Sequence, residues 1–273
     1  MIKILLRYFL FNGCFLVLLT PVISQNFIVN NAFQEGENIT YEVAYNWGPI
    51  WVDAGLVTFS VEKDRYLGNE AFHLKSTGKT YASYDLLFKV RDYYESWIDP
   101  ATFKSFEFRR QIYEGGYSLI NTLRFDFPGH RVFSNTKSNN NPQRTDTLSL
   151  LPLVYDMLSA VYVTRTLDLA NLKSDVKTPI WVIIDDCYYS IYIRSLGKEL
   201  IKTQDGVKYR CVKIAAKMVQ GTIFRGEEDV LIWVTDDENK IPVYIEAKII
   251  VGTVKAYLIG TKGLKNPATS LVK

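Results

Sequence analysis

Ile39-Thr40-Tyr41-Glu42-Val43-Ala44-Tyr45-Asn46-Trp47 alternates residue by residue. Ile39, Tyr41, Val43, Tyr45 and Trp47 form a large apolar set; Thr40, Glu42, Ala44 and Asn46 form a smaller, more polar one. A period of two marks an extended chain with one buried face, because successive side chains of a strand point to opposite sides. The pattern returns along the chain. Val57, Phe59 and Val61 alternate with Thr58, Ser60 and Glu62, and Leu119, Leu123, Phe125 and Phe127 with Thr122, Arg124 and Asp126. Leu231 with Trp233, and Val243 with Ile245 and Ala247, repeat it in the last third. Turn-forming stretches separate these runs: Leu67-Gly68-Asn69-Glu70, Glu114-Gly115-Gly116, Asp205-Gly206 and Asp236-Asp237-Glu238-Asn239. Asp-Gly suits a tight hairpin because both central residues accept positive φ. Roughly a dozen strands with short, antiparallel connections are expected.

One segment departs from this period. Leu150, Val154, Met157, Leu158 and Val161 recur at helical spacing, Ser149 is available as a cap, and Pro152 is tolerated in a first turn. The pattern predicts one helix near 150–165. The polar stretch from Ser134 to Asp146, with Asn139-Asn140-Asn141-Pro142, reads as a mobile surface loop, and the tail from Gly263 as frayed. Strand-rich halves at about 33–134 and 178–262 are thus joined through loop and helix within a single β-rich domain, 25–273. The expected fold is all-β and mainly antiparallel: a twisted, partly closed barrel-like sheet with one covering helix, closure being one way to hide sheet edges. A two-sheet sandwich is the alternative.

Residues 1–24 read as a secretory signal peptide. Lys3 and Arg7 precede an apolar stretch from Tyr8 to Leu19, Pro21 breaks it, and Val22-Ile23-Ser24 offers a cleavage site before Gln25. The apolar run is about 12 residues, short of the roughly 20 that a spanning helix needs. Cys14 does not suit lipidation, because Phe11-Asn12-Gly13 precedes it and the greasiest run, Phe15 to Leu19, follows it. No later stretch is long and apolar enough for a membrane-spanning helix. Of 273 residues, 48% are hydrophobic, 14% aromatic and 22% charged, with a formal charge of +3. That composition supports a substantial core and gives no electrostatic argument for nucleic acid. Cys187 and Cys211 permit one disulfide in an oxidising compartment, although each sits in an expected strand where a free thiol packs as a small apolar group. Asn38-Ile39-Thr40 matches a glycosylation triplet, a signal that arises easily by chance.

Few residues suggest chemistry. His73 and His130 are the only imidazoles, and both read as surface residues. There is no Gly-x-Ser-x-Gly turn, no glycine loop opening a helix and no Cys-x-x-Cys pair, so no catalytic residue, cofactor or metal is expected. Asp185-Asp186, Glu227-Glu228-Asp229 and Asp236-Asp237-Glu238 fall at turns, where Asp bonds its own backbone. Trp47 and Trp51 flank Gly48-Pro49, and with Tyr81 they are candidates for contact with a ligand, although burial would equally let the tryptophans close one end of the core. Lys89, Arg91, Arg109, Arg110 and Arg124 come from three expected strands, and Arg91 and Arg109 are the candidates for an anionic group. The interleaved Asp92, Glu95, Asp99 and Glu107 offer them cross-strand ion pairs instead.

Four motifs, taken together, resemble a known family. They are Phe33-x-x-Gly36-Glu37-x-x-x-Tyr41; Phe88-Lys89-Val90-Arg91-Asp92-x-x-Glu95-Ser96-x-x-Asp99-Pro100; Tyr155-Asp156-Met157-Leu158-Ser159-Ala160-x-Tyr162-x-x-Arg165; and Ile232-Trp233-Val234-Thr235-Asp236-Asp237-Glu238-Asn239-x-Ile241-Pro242. Over about 33–262 the chain resembles the exported bacterial proteins grouped as domain of unknown function 3108. The resemblance implies a mainly β, Gram-negative envelope protein and transfers no activity and no catalytic residue. Asp156 and Arg165, too far apart on the helix to pair, are expected each to tie it to the sheet.

The expected function is therefore that of an exported, non-catalytic periplasmic protein that binds or carries a lipid-like or glycan ligand. The alternative is a structural or assembly protein contacting other envelope proteins. A carboxylate-dependent glycan hydrolase comes third, and it would need two acids roughly 5–10 Å apart in a cleft.

Overall fold

The computed structural model describes residues 28–47, 50–174, 176–217, 230–249 and 252–272, without the side chains of Trp47 and Ile50. Fifteen strands and two helices lie among them. The first half contains β1 (Asn38–Trp47), β2 (Ile50–Tyr66), β3 (Asn69–Thr80), the single turn α1 (Asp85–Phe88), β4 (Arg91–Ile98), β5 (Ser105–Glu114), β6 (Tyr117–Asp126), β7 (Arg131–Ser138) and β8 (Arg144–Ser149). After α2 (Met157–Thr166) come β9 (Thr178–Ile184), β10 (Cys187–Lys202), β11 (Lys208–Lys217), β12 (Val230–Thr235), β13 (Pro242–Lys248), β14 (Thr253–Lys262) and β15 (Leu271–Val272).

One antiparallel sheet runs through both halves in the order β8-β7-β6-β5-β4-β3-β2-β1-β14-β13-β12-β11-β10-β9, with β15 added to β11. Its centre is the pairing of β1 with β14, from Asn38 opposite Lys262 to Tyr45 opposite Val254. The sheet curls without closing, and its free ends, β8 and β9, are drawn together by polar contacts. Tyr188 donates to the Ser149 carbonyl at 2.6 Å, Arg144 pairs with Asp186, and Arg110 pairs with Asp185. Asp185 and Asp186 have φ of 50° and 62°, the conformation of a two-residue hairpin turn whose twist matches its strands.

The main core joins both halves. Phe33, Leu74, Ile98, Phe108 and Leu123 meet Leu158 and Tyr162 of α2 and Val182 and Ile183 of β9. α2 packs against β3, β4 and β9 and so occupies the side that the curled sheet leaves open. A second cluster gathers Leu169, Val212, Ile214 and Val234. Cys211, Trp233 and Val243 form a third on the opposite face of the same strands. The Gly197 bulge in β10, at φ +100°, bends the long β10–β11 hairpin; glycine alone takes that conformation at little cost.

Three expectations are corrected. The stretch 134–146 is largely the β7–β8 hairpin, with only 139–143 between its strands. Its inward positions include Ser134, buried beside the amide of Asn121 at 3.5 Å, so a polar pair replaces the apolar alternation. The helix begins at Met157 rather than near 150. Pro152 and Leu153 form a turn, and Tyr155 then bridges β9 in parallel: its N–H donates to the Trp181 carbonyl at 2.9 Å and its carbonyl accepts from Ile183 at 3.0 Å. The tail is pinned rather than frayed, through β15, through Arg210 donating to the Thr269 carbonyl at 2.7 Å, and through the Ser270 N–H donating to Asp237 at 3.2 Å.

Candidate apolar groove

Two buried polar anchors fix α2, and with it one wall of a groove. Asp156 caps the helix by accepting from the backbone N–H groups of Leu158 at 2.8 Å and Ser159 at 2.9 Å. Its second oxygen accepts from Ser96 of β4 at 2.6 Å and from Ser105 of β5. Burial raises the Asp156 pKa against the pull of these hydrogen bonds. At the other end, Arg165 donates to both oxygens of Glu37 at 2.6 and 2.8 Å and to the carbonyls of Ala32 at 3.2 Å and Asn239 at 2.9 Å. Its guanidinium lies over Phe33 and Tyr162, 5.6 and 5.5 Å from the ring centroids. Burial works against this charge, but the Glu37 carboxylate outweighs it and raises the Arg165 pKa. Both residues thus tie the helix to the rest of the fold, as their separation along it implies.

The groove lies where the N-terminal segment, α2 and β9 meet. It has a volume of about 480 Å³ and is open to solvent. Ile28 and Val29 form one side, Val163, Thr166 and Leu167 the helix wall, and Thr178, Pro179, Ile180 and Trp181 the strand wall, with Leu153 and Tyr155 between. Ile28 is held by its N–H donating to the Ala101 carbonyl at 2.9 Å. The polar side-chain atoms of the lining are three hydroxyls (Tyr155, Thr166 and Thr178) and the Trp181 indole N–H. Val29, Leu153 and Trp181 remain exposed at the rim.

None of the candidate ligand-contact residues named from the sequence lines this groove, although Tyr155, which opens the third motif, does. Trp51 is exposed, with Lys255 Nζ 4.0 Å above its ring. Tyr81 donates to Glu42 at 2.7 Å, which helps to push its pKa up to about 12. The Trp47 side chain lies outside the described residues. Arg91 pairs with Asp85 at 2.5 Å, and Arg109 pairs with Glu107 and lies 5.0 Å from the Trp97 ring. Arg110 points inward to Asp185, and Arg124 lies over Phe133 at 5.0 Å. The cations are therefore spread among ion pairs and rings instead of forming one anion site.

The remaining titratable groups are structural. His73 is buried, not on the surface: it stacks on Trp97 at 4.1 Å and bonds Glu95 at 3.0 Å, so its strand's polar face is covered. Burial lowers its pKa despite the carboxylate. Asp92 and Glu114 form a hydrogen-bonded carboxyl pair, and burial together with the Glu114 charge pushes Asp92 up to about 7. Asp236 pairs with Lys198 at 2.8 Å, and Asp237 accepts from the Asn239 N–H at 3.1 Å; residues 227–229 lie outside the described residues. Cys187 is exposed and Cys211 buried, and they form no disulfide. Among the described residues no group of three or more His, Cys, Asp or Glu side chains could hold a metal ion.

Apart from Tyr155, the groove is lined by residues outside the quoted motif positions, and only the apolar character of its scattered segments is visible before folding. Comparison with solved structures finds a beta-barrel-like protein of domain of unknown function DUF1849 from Brucella abortus. The likeness spans 85% of this chain and 99% of that one, at a TM-score of 0.54 and 9% identity. A protein from Bacteroides fragilis, described as exported and YmcC-like in fold, is matched over 86% of this chain and 99% of its own, at a TM-score of 0.32 and 11% identity. At such identities the first likeness speaks for the fold alone. No curated protein matches the chain significantly. No helix among the described residues is long and apolar enough to cross a membrane. The family model for the protein of unknown function DUF3108 matches residues 40–259, and the chain belongs to that family.

Proposed function

We propose that this chain is an exported, non-catalytic carrier of the Gram-negative periplasm that holds an apolar chain of a lipid-like ligand between α2 and β9. The observation that carries this reading is the lining of the groove, aliphatic and aromatic with a few hydroxyls at hand. Its volume of about 480 Å³ falls within the range of small-molecule sites, about 300–1,000 Å³. A glycan would call for more polar partners than three hydroxyls and an indole. Among the described residues the lining holds no carboxylate, imidazole, thiol or amine. Export is supported by the leader-like first 24 residues and by the family resemblance of the motifs.

Native mass spectrometry of the protein purified from its own envelope tests the reading. A lipid adduct is expected on the native protein and is expected to diminish in Thr166→Phe, which adds a ring to the helix wall. Repeated purification with no lipid overturns the proposal. Recovery of a stoichiometric protein partner in place of lipid overturns it in favour of an assembly role.

A further inference from the structure

We propose that the end of the sheet bearing the β3–β4 connection docks on an anionic lipid bilayer, with Leu86, Leu87 and Phe88 entering the interface. Strands β1, β3 and β5 run toward this end and β2, β4 and β6 run away from it. Leu86 is 97% exposed, Leu87 66% and Phe88 54%. Three consecutive large apolar residues held in water are unlike the scattered single exposures that any soluble surface shows.

The tip is built rather than frayed. Leu87 and Phe88 donate to the Tyr84 carbonyl at 2.9 Å, Asp85 accepts from Thr80 at 2.7 Å and from Arg91, and the Gly115 N–H donates to the Lys89 carbonyl at 2.9 Å. Phe88 rests against Gly115, where a Cβ would come within 2.3 Å of the ring. Exposed Tyr113 and Ile120 adjoin on β5 and β6, and exposed Trp51 opens β2 at the same end.

Charge selects the occupant. Lys79, Lys89, Lys137 and Lys255 lie at this end of the sheet and form no salt bridge among the described residues: Lys79 is opposite Arg91, Lys137 is opposite Ile120, and Lys89 and Lys255 lie over the Tyr113 and Trp51 rings. Of the acids at this end, Asp85 is paired with Arg91, and Asp53 lies across β1 from Lys255. A projecting apolar tip ringed by amphipathic lysines and aromatics suits a fluid, negatively charged surface, into which it can sink while the ammonium groups stay at the headgroups.

Vesicle co-sedimentation decides the matter, with both proteins purified as the expressing cell leaves them and their N-termini read by mass spectrometry. The native protein is expected to partition at least tenfold more strongly onto vesicles of phosphatidylglycerol and phosphatidylethanolamine than onto phosphatidylcholine, and less strongly in 0.5 M salt. Leu86→Asp/Leu87→Asp is expected to lose at least tenfold of that binding with an unchanged circular dichroism melt, because both side chains are in solvent. Lys79→Glu/Lys89→Glu should lose a comparable share. Thr166→Phe, which alters only the groove, should bind vesicles as the native protein does, so failure of the carrier reading leaves this one standing. Absence of vesicle binding, equal binding to both vesicle types, or full binding by the Leu86/Leu87 variant overturns the proposal.

Discussion

Replacing Arg165 by Met is expected to be the most damaging single change of charge in this fold. The substitution keeps most of the side-chain volume between Phe33 and Tyr162 but removes the guanidinium. Glu37, 1% exposed, is then left with no counter-charge, and the carbonyls of Ala32 and Asn239 each lose a donor. Breaking a buried pair by removing one partner costs about 3–5 kcal/mol. At about 4 kcal/mol the ratio of folded to unfolded protein falls roughly a thousandfold, and a chain of this size melts about 8–16 °C lower. The double variant Arg165→Met/Glu37→Leu removes the stranded charge and leaves only the two carbonyls to be satisfied. It should recover about 2 kcal/mol relative to the single variant, because an apolar pair replaces an ionic one at little net cost. Urea unfolding followed by tryptophan fluorescence measures both differences at constant slope. A single-variant loss below about 1 kcal/mol, or a double variant no better than the single one, would refute the reasoning that the pair clamps the N-terminal segment to α2.

Tyr162 carries a buried hydroxyl with no hydrogen-bond partner among the described residues, so Tyr162→Phe should leave the melting temperature unchanged or raise it by the equivalent of about 1 kcal/mol; a clear drop in a thermal melt would contradict this. Asp92 is raised from 3.8 to about 7 in the folded protein, so its contribution to stability is fully present below its unfolded value and lost as pH rises through about 7. Asp92→Asn should therefore match the native protein near pH 3 and exceed it at pH 8 by roughly 1–2 kcal/mol after discounting for solvent, and equal melts at both pH values would dismiss the raised carboxyl. Asp156→Ala removes a cap that also accepts from Ser96 and Ser105, and should cost about 2–3 kcal/mol by urea midpoint, at and above the upper end of a surface cap.

The strands were legible wherever one face is greasy and the other polar, as in Ile39 to Trp47. The β7–β8 hairpin was not, because its alternation is between polar residues: Ser134 lies inward among Asn121 and Thr136, and Arg144-Thr145-Asp146 reads as loop on composition alone. Leu150 and Val154 imitated the first turn of a helix because apolar spacing does not reveal whether a segment is coiled or extended between packed layers; Asp156, a better cap than Ser149, marks the true start. The clamp between Glu37 and Arg165 joins residues 128 apart, and nothing local to either names the other. The groove escaped for the same reason, since its walls come from three distant segments. The sequence pointed instead to aromatic and basic residues that prove to be occupied by Glu42, Lys255, Asp85 and Glu107.

The pairing of β1 with β14 sets a timetable for the chain. Asn38 meets Lys262 only after all of the polypeptide between them exists, so the central seam cannot form until β14 has been made. Folding that waits on such distant partners is slow. Until β14 has been made, β1 keeps one edge without a neighbour, and the strands on either side of that seam remain two separate ribbons.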